Sequence, residues 1–113
     1  MPRGRSERTL KVIFVGGPTF EGWKAKHVFL DAVRHISKTV GLEEARRYGG
    51  RWIRKEAPEH TDRYEWIDGW WVRSHASLDH FVGVLAQLKE GLRLPMRVEV
   101  RTHVETVEAE LLS

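Results

Sequence analysis

Two different spacings of apolar residues alternate along this chain, and the switches between them mark out its elements. Residues 10–15 (LKVIFV) are a short β-rich apolar run, stopped by Gly16-Gly17-Pro18, which predicts a first, well-buried strand. From 21 to 40 the spacing becomes helical. Ala25, Val28, Phe29, Ala32, Val33, Ile36 and Val40 form one stripe, and Lys24, His27, Asp31, Arg34, His35 and Lys38 lie around the other side. Gly41 is the natural stop, and 42–48 (LEEARRY) add a short helical turn. Residues 51–56 (RWIRKE) alternate as a second strand, and 57–62 (APEHTD) make a turn. Residues 63–74 (RYEWIDGWWVRS) read as an aromatic third strand, which Asp68-Gly69 interrupts with a bulge or a hairpin turn. Ser77 caps a second helix over 78–90 with Leu78, Phe81, Val82, Leu85 and Leu88 inward, and Gly91 ends it. A last strand covers 96–104 (MRVEVRTHV), and the acidic end reads as an amphipathic turn or a partner-contacting tail.

The order β-α-β-β-α-β predicts an α+β, ferredoxin-like domain, with two helices on one face of a four-stranded antiparallel sheet. The domain is expected over 9–105, between a flexible basic arm (1–8) and a C-terminal tail (106–113). One sheet face is then free of helices, and alternation says what it carries. Ile13 and Val15 are expected to face the helices and Phe14 the open side. Ile53 is expected inward with Trp52 and Arg54 outward, and Val98 and Val100 inward with Arg97, Glu99, Arg101 and His103 outward. One of Trp70 and Trp71 must also point outward. The expected open face therefore holds Phe14, Trp52, Trp70 or Trp71, Arg54, Arg97 and Arg101. Aromatic rings interleaved with Arg stack on unpaired bases and hold phosphates.

Composition narrows the choice. The 113 residues are 41% hydrophobic, enough for a core in one small domain, and no apolar run approaches the roughly 18–20 residues of a membrane span. With no signal-peptide pattern at the start, a cytoplasmic location without membrane association is the expectation. Cysteine is absent, which excludes disulfides and thiolate chemistry. Asn is absent, Gln occurs once (Gln87) and Arg far outnumbers Lys, a bias shared by thermophile proteins and by GC-rich genomes. The net charge of +3 is too small for strong nonspecific duplex binding.

Ile13-Phe14-Val15-Gly16-Gly17 resembles the first-strand motif of the RNA recognition motif family, and Gly69-Trp70-Trp71-Val72-Arg73-Ser74 resembles its third-strand motif. Asp68 and Ser74 stand where that family has a basic residue and an aromatic. The resemblance implies base stacking by Phe14 and Trp70. Trp71-Val72-Arg73-Ser74 leading to Leu78-Asp79-His80 is similar to a signature of the dimeric α+β barrel family, which implies an open face packed against a second copy.

Other constellations are weaker. His27, Asp31 and His35 share a helix at metal-ligand spacing but sit among Lys24, Arg34 and Lys38, as a solvated helix face does. His75, Asp79 and His80, with His103 if the last strand lies near, are the candidates for acid–base work. Gly16-Gly17-Pro18-Thr19 lacks the ends of a phosphate-binding loop and reads as a tight turn. No catalytic set, metal or cofactor is expected. The expected function is noncatalytic binding of single-stranded RNA or DNA. The alternatives are an oligomeric structural or assembly protein that buries the same face against its own copy or a protein partner, and a small-molecule enzyme of the dimeric-barrel type.

Overall fold

The computed structural model describes residues 8–101 and, as backbone only, 106–108. The arm at 1–7, His103 and the end of the tail lie outside the described residues. The chain folds as a compact α+β domain with three helices and two antiparallel sheets. The larger sheet has the order β2-β1-β6-β7, from β1 (Thr9–Phe14), β2 (Thr19–Gly22), β6 (Met96–Arg101) and β7 (Thr106–Glu108). The smaller has the order β3-β5-β4, from β3 (Ile53–Arg54), β4 (Tyr64–Ile67) and β5 (Trp70–Arg73). The helices are α1 (Ala25–Thr39), α2 (Leu42–Gly49) and α3 (Leu78–Leu92). Among the described residues no helix is long and apolar enough to cross a membrane.

This differs from a single ferredoxin-like sheet, and the cause is local. The turn at Gly16-Gly17-Pro18, with Gly16 at φ 76°, folds Thr19–Gly22 back onto β1 as a hairpin. Phe14 N–H donates to the Pro18 carbonyl at 3.0 Å and Gly17 N–H to the Phe14 carbonyl at 2.8 Å, which closes the turn on itself. With β6 on its other side, β1 has no free edge for the middle strands, and these pair among themselves. The stretch 19–22, expected at or before a helix start, is thus an edge strand, and α1 begins only at Ala25.

The phase of β1 is also reversed from the expected one. Leu10, Val12 and Phe14 are buried, Ile13 is half-buried, and Val15 is exposed as the chain enters the turn. Antiparallel register puts Met96, Val98 and Val100 on the same inner face, opposite Phe14, Val12 and Leu10. α1 covers β1 and β2 on that face and α3 covers β6. A one-residue slip moves every side chain of a strand to the other face, so this single difference takes Phe14 out of solvent.

α3 is capped as expected: the Ser77 hydroxyl accepts from the His80 backbone N–H at 3.4 Å. It does not stop at Gly91 but runs to Leu92, and Arg93 closes it in the left-handed conformation at φ 54°. Gly91 has a different role. The Tyr48 ring of α2 lies so close against it that a Cβ at this position would overlap the ring. Gly91 is the notch through which α2 approaches α3.

Two stability predictions follow from this packing. Phe14→Ala should cost about 3–5 kcal/mol by urea unfolding, as for a core aromatic, and Ile13→Ala clearly less. The reverse order would mean the strand phase is wrong. Gly91→Ala should destabilise by roughly 1–3 kcal/mol through overpacking, although Ala exceeds Gly in helix propensity by about 1 kcal/mol. In a Tyr48→Ala background the same change should become neutral or stabilising.

Candidate nucleic-acid interface

The residues expected on one open face do not come together. Phe14 is 5% exposed on the inner face of the large sheet, its ring 4.3 Å from the His35 imidazole centroid and 6.3 Å from that of Phe20. Arg97 and Arg101 do lie on the outer face of that sheet, as expected. There, Arg97 meets Glu99 at 3.3 Å and Arg101 meets Glu21 at 3.4 Å. Register gives that face Lys11, Ile13, Thr19 and Glu21 as neighbours, so its two arginines are charge-paired and its strand residues include no aromatic ring; Trp23, exposed, follows directly after β2.

The other four expected residues belong to the small sheet and its approach. Trp52 ends a 3-10 turn at Gly50–Trp52 instead of lying in a strand. Its ring packs edge-on against Phe29 of α1 (5.6 Å) and Phe81 of α3 (5.8 Å), and the Arg73 guanidinium covers it at 5.0 Å. Trp70 faces inward, 8% exposed, with Lys55 Nζ 4.2 Å and the Arg46 guanidinium 5.7 Å from its ring centroid. The inward partner in the Trp70/Trp71 pair is therefore Trp70, the ring the family resemblance put forward for stacking.

Trp71 and Arg54 point the other way, and register shows what joins them. Asp68 and Gly69 both have positive φ (50° and 89°), as a two-residue hairpin loop requires, so Asp68-Gly69 is a hairpin turn and not a bulge. That turn sets Ile67 opposite Trp70, Trp66 opposite Trp71 and Tyr64 opposite Arg73, while Arg54 of β3 lies opposite Trp71. Residues directly opposite in an antiparallel ladder share a face. The outer face of the small sheet thus carries Arg54, Trp71 and Trp66 in one row and Arg73 and Tyr64 in the next. Trp66 is 56% exposed, and its ring meets Trp71 edge-on at 5.1 Å. Ile53, Ile67, Trp70 and Val72 hold the inner face.

The surroundings are basic. Arg54, Arg63 and Arg73 border a hollow of about 230 Å³ beside Tyr64 and His60, with Glu59 on its wall. Arg46, Arg51 and Arg54 border a second hollow of about 310 Å³ with Glu56. Among the described residues none of these guanidiniums is in an ion pair, in contrast to Arg8, Arg34, Arg47, Arg97 and Arg101. Tyr64, Trp66, Arg63 and Arg73 escaped the sequence reading. Counting outward from a two-residue turn at Asp68-Gly69 would have paired Trp66 with Trp71 and Tyr64 with Arg73.

The histidines do not assemble. His35 packs on Phe14, His27 is exposed, and Asp31 between them pairs with Arg34 at 3.3 Å. His80 Nδ1 lies 2.9 Å from the Ser77 hydroxyl, while Asp79 meets Arg8 at 3.5 Å and does not orient that ring. Among the described residues no three His, Asp or Glu gather as metal ligands. Compared with known proteins, the chain matches no family model, no curated protein and no solved structure.

Proposed function

We propose that this protein binds single-stranded nucleic acid, RNA or DNA, on the outer face of the small sheet, as a noncatalytic module acting in the cytoplasm. One observation carries the reading: Trp66, Trp71 and Tyr64 share that face with Arg54 and Arg73, whose guanidiniums are in no ion pair among the described residues. Aromatic side chains offer each base a π-face whatever its sequence, worth about 1–3 kcal/mol per base. Guanidiniums beside them supply the forked, charge-assisted donors that phosphate oxygens accept. Phe14 and Trp70 have no part in this reading, because both rings are spent on the core. Arg97 and Arg101 have none either, because their charges are already matched by carboxylates.

The exposure of Trp66 also favours a second reading, in which a second copy of the chain covers the same face. Light scattering separates the two: a monomer that gains mass only with an oligonucleotide supports the first, and a stable dimer indifferent to oligonucleotide supports the second.

The binding reading predicts that Trp66→Ala with Trp71→Ala weakens affinity for a mixed-sequence 12-mer by at least tenfold in fluorescence anisotropy. Arg97→Ala with Arg101→Ala should leave it within about twofold, and affinity should fall steeply with salt. Equal affinity of the tryptophan double variant and the parent protein would overturn the reading.

A further inference from the structure

We infer that the hollow between Arg54, Arg63 and Arg73 is a site for a phosphate monoester, the terminal phosphate of a bound strand. The inference rests on the reading of the small-sheet face as a single-strand platform and names what the platform selects. Charge is the first argument. Three guanidiniums and one carboxylate, Glu59, border this hollow and leave it a net charge of +2. A phosphodiester inside a strand carries one negative charge, whereas a phosphate monoester carries about −1.5 to −2 at neutral pH, so only the monoester matches.

Position is the second argument. The face ends at this hollow. The row of Trp66, Trp71 and Arg54 is followed by Tyr64 and Arg73, and beyond these the chain turns through the 3-10 segment Thr61–Arg63. A strand stacked across the tryptophans and Tyr64 runs out where the cations gather. Size is the third. The hollow, about 230 Å³, has room for a phosphate group with waters around it. One of the cations is also held in place: Arg73 Nε donates to the His75 carbonyl at 3.1 Å and its guanidinium lies over Trp52.

The test compares four forms of one 12-mer, labelled internally: unphosphorylated, 5′-phosphorylated, 3′-phosphorylated and phosphorylated at both ends. Each is titrated against the protein and against Arg63→Ala, chosen because Arg63 lines the hollow but lies outside the row that carries the tryptophans. A terminal phosphate at one end should raise affinity about tenfold, through the added charge-assisted contacts. Inorganic phosphate should remove that advantage, and Arg63→Ala should abolish it while binding the unphosphorylated strand within about twofold of the parent. If all four forms bind the parent protein equally, the phosphate site is refuted and the platform stands. If the tryptophan double variant keeps full affinity but still prefers a phosphorylated end, the platform is refuted and the site stands. Survival of the parent's preference in Arg63→Ala also refutes the site.

Discussion

The aromatic junction of Phe29, Phe81 and Trp52 is the contact on which the rest of the architecture depends. Phe29 of α1 and Phe81 of α3 stack at 4.7 Å with 27° between their planes, and Trp52 packs edge-on against both from the 3-10 turn that leads into the small sheet. Three separate elements therefore meet in one contact. An aromatic ring of this size buries about 150–250 Å², worth roughly 4–6 kcal/mol at 25 cal/mol per Å². A three-stranded sheet this short has little stability of its own. It is tied to the helices by Trp52 at one side, and by Arg34–Glu65 and Ser37–Asp68 from α1 at the other.

That anchoring divides the four tryptophans of the small sheet and its approach by role. Trp52 and Trp70 face the helices and are consumed by packing, while Trp66 and Trp71 face away and contribute little to the core. The arginines divide in the same way. On the large sheet they are matched by Glu21 and Glu99, but around the small sheet Arg46, Arg51, Arg54, Arg63 and Arg73 are in no ion pair among the described residues. A net charge of +3 spread evenly would attract little. Pairing charges in one place and leaving them unpaired in another concentrates the same charge into a local field.

Much of this was legible in the sequence, and the failures have specific causes. The helical stripes around Ile36 and Leu85 identified α1 and α3, because a wide apolar stripe at that spacing has one burial solution. Alternation placed Ile53, Val98 and Val100 inward, and in MRVEVRTHV the apolar residues fall at one parity only. LKVIFV has apolar residues at both parities, so alternation could not decide its phase. The structure settles it: Leu10, Val12 and Phe14 are buried, while Val15, whose N–H donates to the Pro95 carbonyl at 2.7 Å, is exposed. The split into two sheets depended on four residues, Thr19–Gly22, whose signal was Gly22 inside an otherwise helical stretch. The outer face was missed through one undecided alternative, bulge or hairpin at Asp68-Gly69, since only a hairpin fixes which residues oppose one another.

A platform for flexible strands gains affinity chiefly by being formed beforehand, because each group ordered on binding subtracts from the contact it makes. The small-sheet face, the proposed platform, is built along those lines. Trp71 sits on the central strand between Arg54 and Trp66. Trp66 is held edge-on against it. Arg73 is fixed by Trp52 below and the His75 carbonyl beyond, so the junction that anchors the sheet also orients a cation of the outer face. Loss of Trp52 would then loosen Arg73 as well as the core. Trp52 thus ties the helix core to a cation of the proposed binding face.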